Sequence, residues 1–185
     1  MTTVAVAQNY ARALYHFSQE QEISDAVLSS LEFLEKQFNY EPRLKEILTH
    51  PLVNKKEKKK ILEELFPYQE EETPPAVINF LFLLVDKERN TLLEEIMDWY
   101  RSFYREERDI QVVEVTVPGE LKEEQKDIIV ENMKRYTGRQ VELKEKIDPS
   151  VKGGVILKIG SRMLDGSLDT RLKRMEEELL QSGSK

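Results

Sequence analysis

The residues best suited by type and spacing to do chemistry lie in one stretch near the C-terminus. It runs from Asp148-Pro-Ser-Val-Lys-Gly-Gly154 through Gly160 and Asp165-Gly-Ser167 to Asp169. Neighbouring carboxylates can share acid–base work or hold a hard cation. Adjacent glycines can present backbone N–H groups to a phosphate. Each feature also has a plainer explanation. Asp148-Pro-Ser and Asp165-Gly-Ser are turn starters, in which the carboxylate accepts from its own backbone. The glycines lack the following lysine and Ser/Thr of a nucleotide-binding loop, and Gly153-Gly154 leads into a strand and not a helix. They are expected to let a β-hairpin bend and approach the helices. A small phosphate- or nucleotide-binding enzyme using Gly153-Gly154 is kept as the alternative reading.

Other reactive types are sparse. There is no cysteine, hence no disulfide framework, thiolate metal site or cysteine nucleophile. His16 and His50 are too far apart in sequence for paired-ligand spacing, and packed or capping roles are expected for both. No catalytic residue, metal or cofactor is expected. The densest basic run, Lys55-Lys56-Glu57-Lys58-Lys59-Lys60, reads as a solvated helix face, with contact to an acidic partner as the other option.

The net charge of −7 resides in residues 1–109, and the remainder is balanced. Nucleic-acid binders carry the opposite sign because phosphate contacts dominate their affinity, so no nucleic-acid partner is expected. No window approaches the ~20 apolar residues of a membrane span, and the N-terminus lacks a signal-peptide pattern. The chain is expected in the cytosol, touching a membrane only through a larger complex.

The first 118 residues contain no glycine, whereas four of the seven glycines fall between 153 and 166. That asymmetry predicts a helical N-terminal domain and a smaller mixed one. Residues 3–20 form a first helix whose apolar arc, with Val6, Ala7, Tyr10, Ala13, Leu14 and Phe17 at its centre, is wider than one packing contact requires. A second, from Ser24, carries Val27, Leu31, Leu34 and Phe38 at core spacing. Pro42 opens a third, and Asn54 with Glu57 caps a fourth. Pro67 and the acidic run Glu70–Glu72 mark a loop. The fifth helix, about 75–87, is apolar all round: Val77, Phe80, Leu81 and Leu84 make one face and Asn79, Phe82 and Leu83 the other. Such a helix is buried on both sides, and in so small a bundle one side is left for another molecule. Thr91 with Glu94 caps a sixth.

Residues 110–117 then alternate with period two, placing Val113, Val115 and Val117 on one face of a strand. A seventh helix runs to Gly138, and strands follow at Val141–Leu143 and Val155–Ile159. Ser167 caps a final helix carrying Leu168, Leu172, Met175 and Leu179, and the last four residues are expected to be disordered. The fold class is α+β, mostly α: an N-terminal six-helix bundle, residues 1–105, followed by a small α/β domain, residues 106–185, with a short sheet and a C-terminal helix.

The order of these pieces resembles the delta subunit of the F-type ATP synthase, whose mitochondrial counterpart is the oligomycin-sensitivity-conferring protein. The likeness spans nearly the whole chain. It rests on Tyr10-Ala-Arg-Ala-Leu14, Leu48-Thr-His-Pro51 before the lysine run, Asn79-Phe-Leu81 with Arg89 downstream, Asp148-Pro-Ser-Val-Lys-Gly-Gly154, Gly160, Asp165-Gly-Ser167 and Arg171-Leu172. The resemblance implies a noncatalytic adaptor of the peripheral stalk, or stator, joining the catalytic head to the membrane-anchored stalk during proton-driven ATP synthesis. It implies that an alpha subunit's N-terminal helix lies between the first and fifth helices and that the b subunits engage the C-terminal domain. The implied location is peripheral, on the cytoplasmic face of the cell inner membrane. The partner-binding set is Tyr10, Ala13, Leu14, Asn79, Phe82 and Leu83.

Overall fold

The structure is a computed structural model that describes residues 3–66, 73–170 and 172. It divides into two compact units, residues 1–104 and 105–185. The chain is mostly helical, with one small four-stranded sheet.

The first unit is built from α1 (Thr3–Glu20), α2 (Ser24–Tyr40), α3 (Pro42–Thr49), α4 (Lys55–Leu65), α5 (Pro75–Asp86) and α6 (Leu93–Glu107). Pro42 and Pro75 occupy first-turn positions, where a missing N–H costs nothing. The Asn54 side chain caps α4 by accepting from Glu57 N at 2.8 Å. The α2 stripe Val27, Leu31, Leu34 and Phe38 is wholly buried. Tyr100 of α6 is fully buried, its hydroxyl 2.8 Å from Ser18 Oγ and 3.1 Å from the Ser24 carbonyl oxygen, which ties α6 to the ends of α1 and α2.

The entry to α6 departs from expectation. A 3-10 turn, Asn90–Leu92, precedes the helix where a Thr91 cap was expected, so this unit has a helical segment beyond the six anticipated. The cause is tertiary: Asn90 is buried, and its amide donates to the Leu48 carbonyl at the end of α3.

The second unit holds β1 (Ile110–Val117), α7 (Glu123–Thr137), β2 (Gln140–Ile147), β3 (Ile156–Ile159) and β4 (Arg162–Asp165), in sheet order β2-β1-β3-β4. β1 and β2 are parallel, joined by the α7 crossover, and pair from Ile110↔Gln140 to Val117↔Ile147. β3 is antiparallel to both β1 and β4. Val113, Val115 and Val117 are buried and pack with Met133 of α7 in this unit's core. α7 ends at Gly138, whose φ of +72° makes it the left-handed residue that closes the helix.

The strand β4 was not anticipated. Residues 168–170 and 172 are helical, and Ser167 Oγ accepts from Thr170 N at 3.4 Å as the expected cap. The expected acidic loop Glu70–Glu72, Arg171, the Met175 and Leu179 positions of the final stripe and the last four residues lie outside the described residues.

Candidate partner interface

α5 buries Val77, Ile78, Phe80, Leu81, Leu84 and Val85, which span just under half of its circumference. At 100° per residue the remaining face presents Ala76, Asn79 and Leu83 in a row, with Phe82 and Asp86 to one side. Asn79 is exposed and Leu83 is 42% exposed. An exposed leucine flanked by alanine on an otherwise apolar helix is the half of α5 that this unit leaves uncovered.

α1 shows the same division. Ala7, Ala11, Leu14, Tyr15 and Ser18 are buried. Beside them runs a second row, Val6, Tyr10, Ala13 and Phe17, spaced four, three and four, in which Val6 and Tyr10 are half-buried and Ala13 and Phe17 exposed. The two rows meet where the Tyr10 ring packs edge-on against Phe80. By helical position Ala13 and Phe17 lie outward of Tyr10, and Ala76 and Leu83 lie outward of Phe80. The two rings therefore floor a V with apolar sides, a shape that accepts an amphipathic helix.

The six sequence-selected residues divide on this geometry. Tyr10, Ala13, Asn79 and Leu83 belong to the two rows. Leu14 is 4% exposed and serves the core, because it lies about 40° around α1 from Tyr10, toward Ala7 and Ala11. Phe82 is half-buried on the side of α5 facing α4, where Lys59 Nζ sits 5.3 Å from its ring centre. Val6, Phe17 and Ala76 complete the rows and were not selected. The four-three-four spacing on α1 was the signal that could have picked out the first two.

The glycine-rich stretch is occupied by its own backbone. Leu168 N donates to the Gly153 carbonyl at 3.0 Å and Gly166 N to that of Val155 at 2.9 Å. Gly154 sits at φ +82°, and a Cβ there would meet the Gly166 carbonyl oxygen at 2.4 Å. Asp165 accepts from Ser167 N at 2.8 Å and from Thr170 Oγ1 at 2.8 Å, and Asp148 accepts from Ser150 N at 2.9 Å. The hydrogen bonds to Ser150 hold the Asp148 carboxyl below the usual aspartate range. These carboxylates are turn elements, and the phosphate-cradle reading loses its support. His50 Nδ1 accepts from Leu52 N at 3.2 Å, a local capping role. No helix among the described residues is long and apolar enough to cross a membrane.

Comparison with known proteins converges on one family. Residues 6–179 match the family model described as ATP synthase delta (OSCP) subunit. The chain is 36% identical over 179 residues to ATP synthase subunit delta of Carboxydothermus hydrogenoformans, covering 97% of this chain and 99% of that protein. It is 35% identical over 178 residues to the protein of the same name from Gloeothece citriformis, covering 96% and 95%. A chain in the cryo-EM structure of the Toxoplasma gondii mitochondrial ATP synthase hexamer superposes with a TM-score of 0.70, covering 97% of this chain and 98% of that one; at 22% identity this likeness speaks for the fold.

Proposed function

Because the chain belongs to the ATP synthase delta (OSCP) subunit family, and so is a noncatalytic component of the peripheral stalk of an F-type ATP synthase, we propose that its first unit grips the catalytic head. In this reading the N-terminal helix of an alpha subunit lies in the V between α1 and α5. The b subunits of the stalk engage residues 106–185, and residues 1–105 form the head-side domain. The subunit then sits peripherally on the cytoplasmic face of the membrane, held there through the complex.

The observation that carries this reading is the pair of uncovered apolar rows meeting at Tyr10 and Phe80. Burying an amphipathic helix against them contributes roughly 25 cal/mol per Å² of apolar area, less the cost of ordering the peptide. The mechanical requirement follows from rotary catalysis. A rotor turning inside the head exerts torque on it, so the head must be held to the membrane-anchored part, and an adaptor bound at both ends supplies that link. No bond is made or broken, which fits side chains spent on turns and caps.

Titration calorimetry of the full chain with a peptide of the alpha subunit's N-terminal segment tests the proposal. Saturable binding is expected, and Leu83→Asp should abolish it while the far-UV circular dichroism stays unchanged, since Leu83 contributes little to the core. Absence of binding by the unmodified chain would refute the proposal.

A further inference from the structure

The lysine run of α4 does not form a single solvated face. Lys56 is exposed, and Lys60 pairs with Glu64 at 3.6 Å one turn along the helix. Lys55, Lys58 and Lys59 turn the other way, toward the C-terminal end of α5. There Lys55 Nζ donates to the Asp86 carbonyl oxygen at 2.9 Å and pairs with Glu88 at 2.9 Å, while Lys59 pairs with Asp86 at 2.8 Å. Cations are favourable at this end of a helix, where the carbonyl dipoles point outward.

Lys58 stands apart from its neighbours. It is only 5% exposed, and among the described residues no hydrogen bond or ion pair holds its ammonium group. Burial lowers its pKa from the ordinary lysine value, and the field of Glu88 partly opposes this. Glu88 thus compensates this charge only from beyond ion-pair distance, and the ammonium nitrogen itself is not sealed from solvent, although the rest of the side chain is buried.

Lys58 lines a recess of about 400 Å³ between the α3–α4 connection and the turn after α5. Pro51, Val53 and Val85 contribute apolar wall, and Asn54, at the N-terminus of α4, opens onto it. The N-terminal end of α4, where the helix dipole favours negative charge, therefore borders the same space. The charged residues lining it are Lys55, Lys58 and Glu88. Since Lys55 and Glu88 neutralise one another, one positive charge is left over. A single net positive charge suits a monoanion, Glu88 disfavours a second negative charge on the ligand, and the two lysines repel a metal cation.

We propose that this recess binds a small organic carboxylate, whose carboxylate group pairs with Lys58 and whose apolar part rests on Pro51, Val53 and Val85. The site is separate from the α1–α5 rows and does not depend on the alpha-subunit assignment.

The test is a titration of the isotopically labelled full chain, followed by amide chemical shifts at constant ionic strength. The probes are benzoate, benzyl alcohol as its uncharged counterpart, inorganic phosphate and N-acetylglutamate amide. Benzoate should give saturable shifts in residues 51–58 and 88–91, and benzyl alcohol none. Lys58→Met, with an unchanged circular dichroism spectrum, should weaken benzoate by about tenfold or more, the loss of a charge-assisted contact. Glu88→Gln, which removes the competing carboxylate, should tighten it, and this second variant keeps the test decisive if Lys58→Met does not fold. The proposal is overturned by any of four results: no saturable benzoate shift, equal binding by Lys58→Met, unchanged or weaker binding by Glu88→Gln, or tighter binding of phosphate. The first of these results, together with saturable binding of N-acetylglutamate amide, would point instead to an acidic side chain from another protein.

Discussion

Tyr10 of α1 and Phe80 of α5 meet edge to face, with ring centroids 6.4 Å apart and planes inclined at 68°. Aromatic pairs prefer this geometry because the positive ring edge faces the negative ring face. The contact sets the spacing of the two apolar rows and also forms the floor between them. Tyr10→Ala is therefore expected to cost about 2 kcal/mol of stability, read from a urea transition. It should also weaken the alpha-subunit peptide by roughly tenfold in calorimetry, the effect of losing a central aromatic anchor. A folded variant with undiminished peptide affinity would show that the peptide binds elsewhere.

Tyr100 offers a contrasting case, since its hydroxyl serves the interior alone. It is completely buried and lies within hydrogen-bond distance of Ser18 Oγ and the Ser24 carbonyl oxygen. Tyr100→Phe keeps the ring and deletes those contacts. A loss of about 1 kcal/mol is expected in denaturant unfolding, with peptide affinity unchanged. An unshifted transition would mean that Ser18 Oγ and the Ser24 carbonyl oxygen are satisfied equally well without the hydroxyl.

Gly154 has no room for any side chain. Its φ of +82° is already unfavourable for L-residues, and a Cβ would lie 2.4 Å from the Gly166 carbonyl oxygen. Gly154→Val should therefore cost about 3 kcal/mol or more, measured as lost amide protection at Gly166 and Leu168. Nucleotide addition should restore none of it. Retained protection at these amides would contradict the close approach of the two segments.

Asp148 supplies a pH dependence of definite sign. Its carboxyl is held below the usual aspartate range, chiefly by the Ser150 side chain and then by Ser150 N. A depressed folded-state pKa stabilises above the unfolded value, about 3.9, and the contribution disappears as pH falls through the folded value. Asp148→Ala should accordingly be less stable than the parent at neutral pH, and the two melting curves should draw together below that window. A constant gap across the whole range would rule out the charge as its source.

Much of this architecture is readable in the sequence because local rules and tertiary packing agree. The proline starts of α3 and α5, the Asn54 cap of α4 and the strict alternation of β1 each announce themselves. β4 does not, because Arg162–Asp165 are all exposed and so lack any alternation to detect. The 3-10 turn before α6 is equally silent, since its cause, the Asn90–Leu48 hydrogen bond, joins residues 42 positions apart. The same limit applies at the interface. A wheel separates the two sides of α5, yet it cannot tell that Leu14 falls on the core side of so wide an arc while Phe17 stays outside. Nor can a run of five lysines reveal which three turn inward, because the groups that Lys55 and Lys59 meet belong to α5 and the turn that follows it.

The central place of β1 has a further consequence. It pairs along all eight of its residues with parallel β2 and along four with antiparallel β3. A pull directed along β1 therefore strains both ladders in shear, and their hydrogen bonds must give way together. Pulling at a strand end perpendicular to the sheet would instead open them one after another, as a zipper. In a subunit whose task is to resist a turning force, stiffness then depends on direction, and the axis of β1 is the direction in which this small sheet yields least.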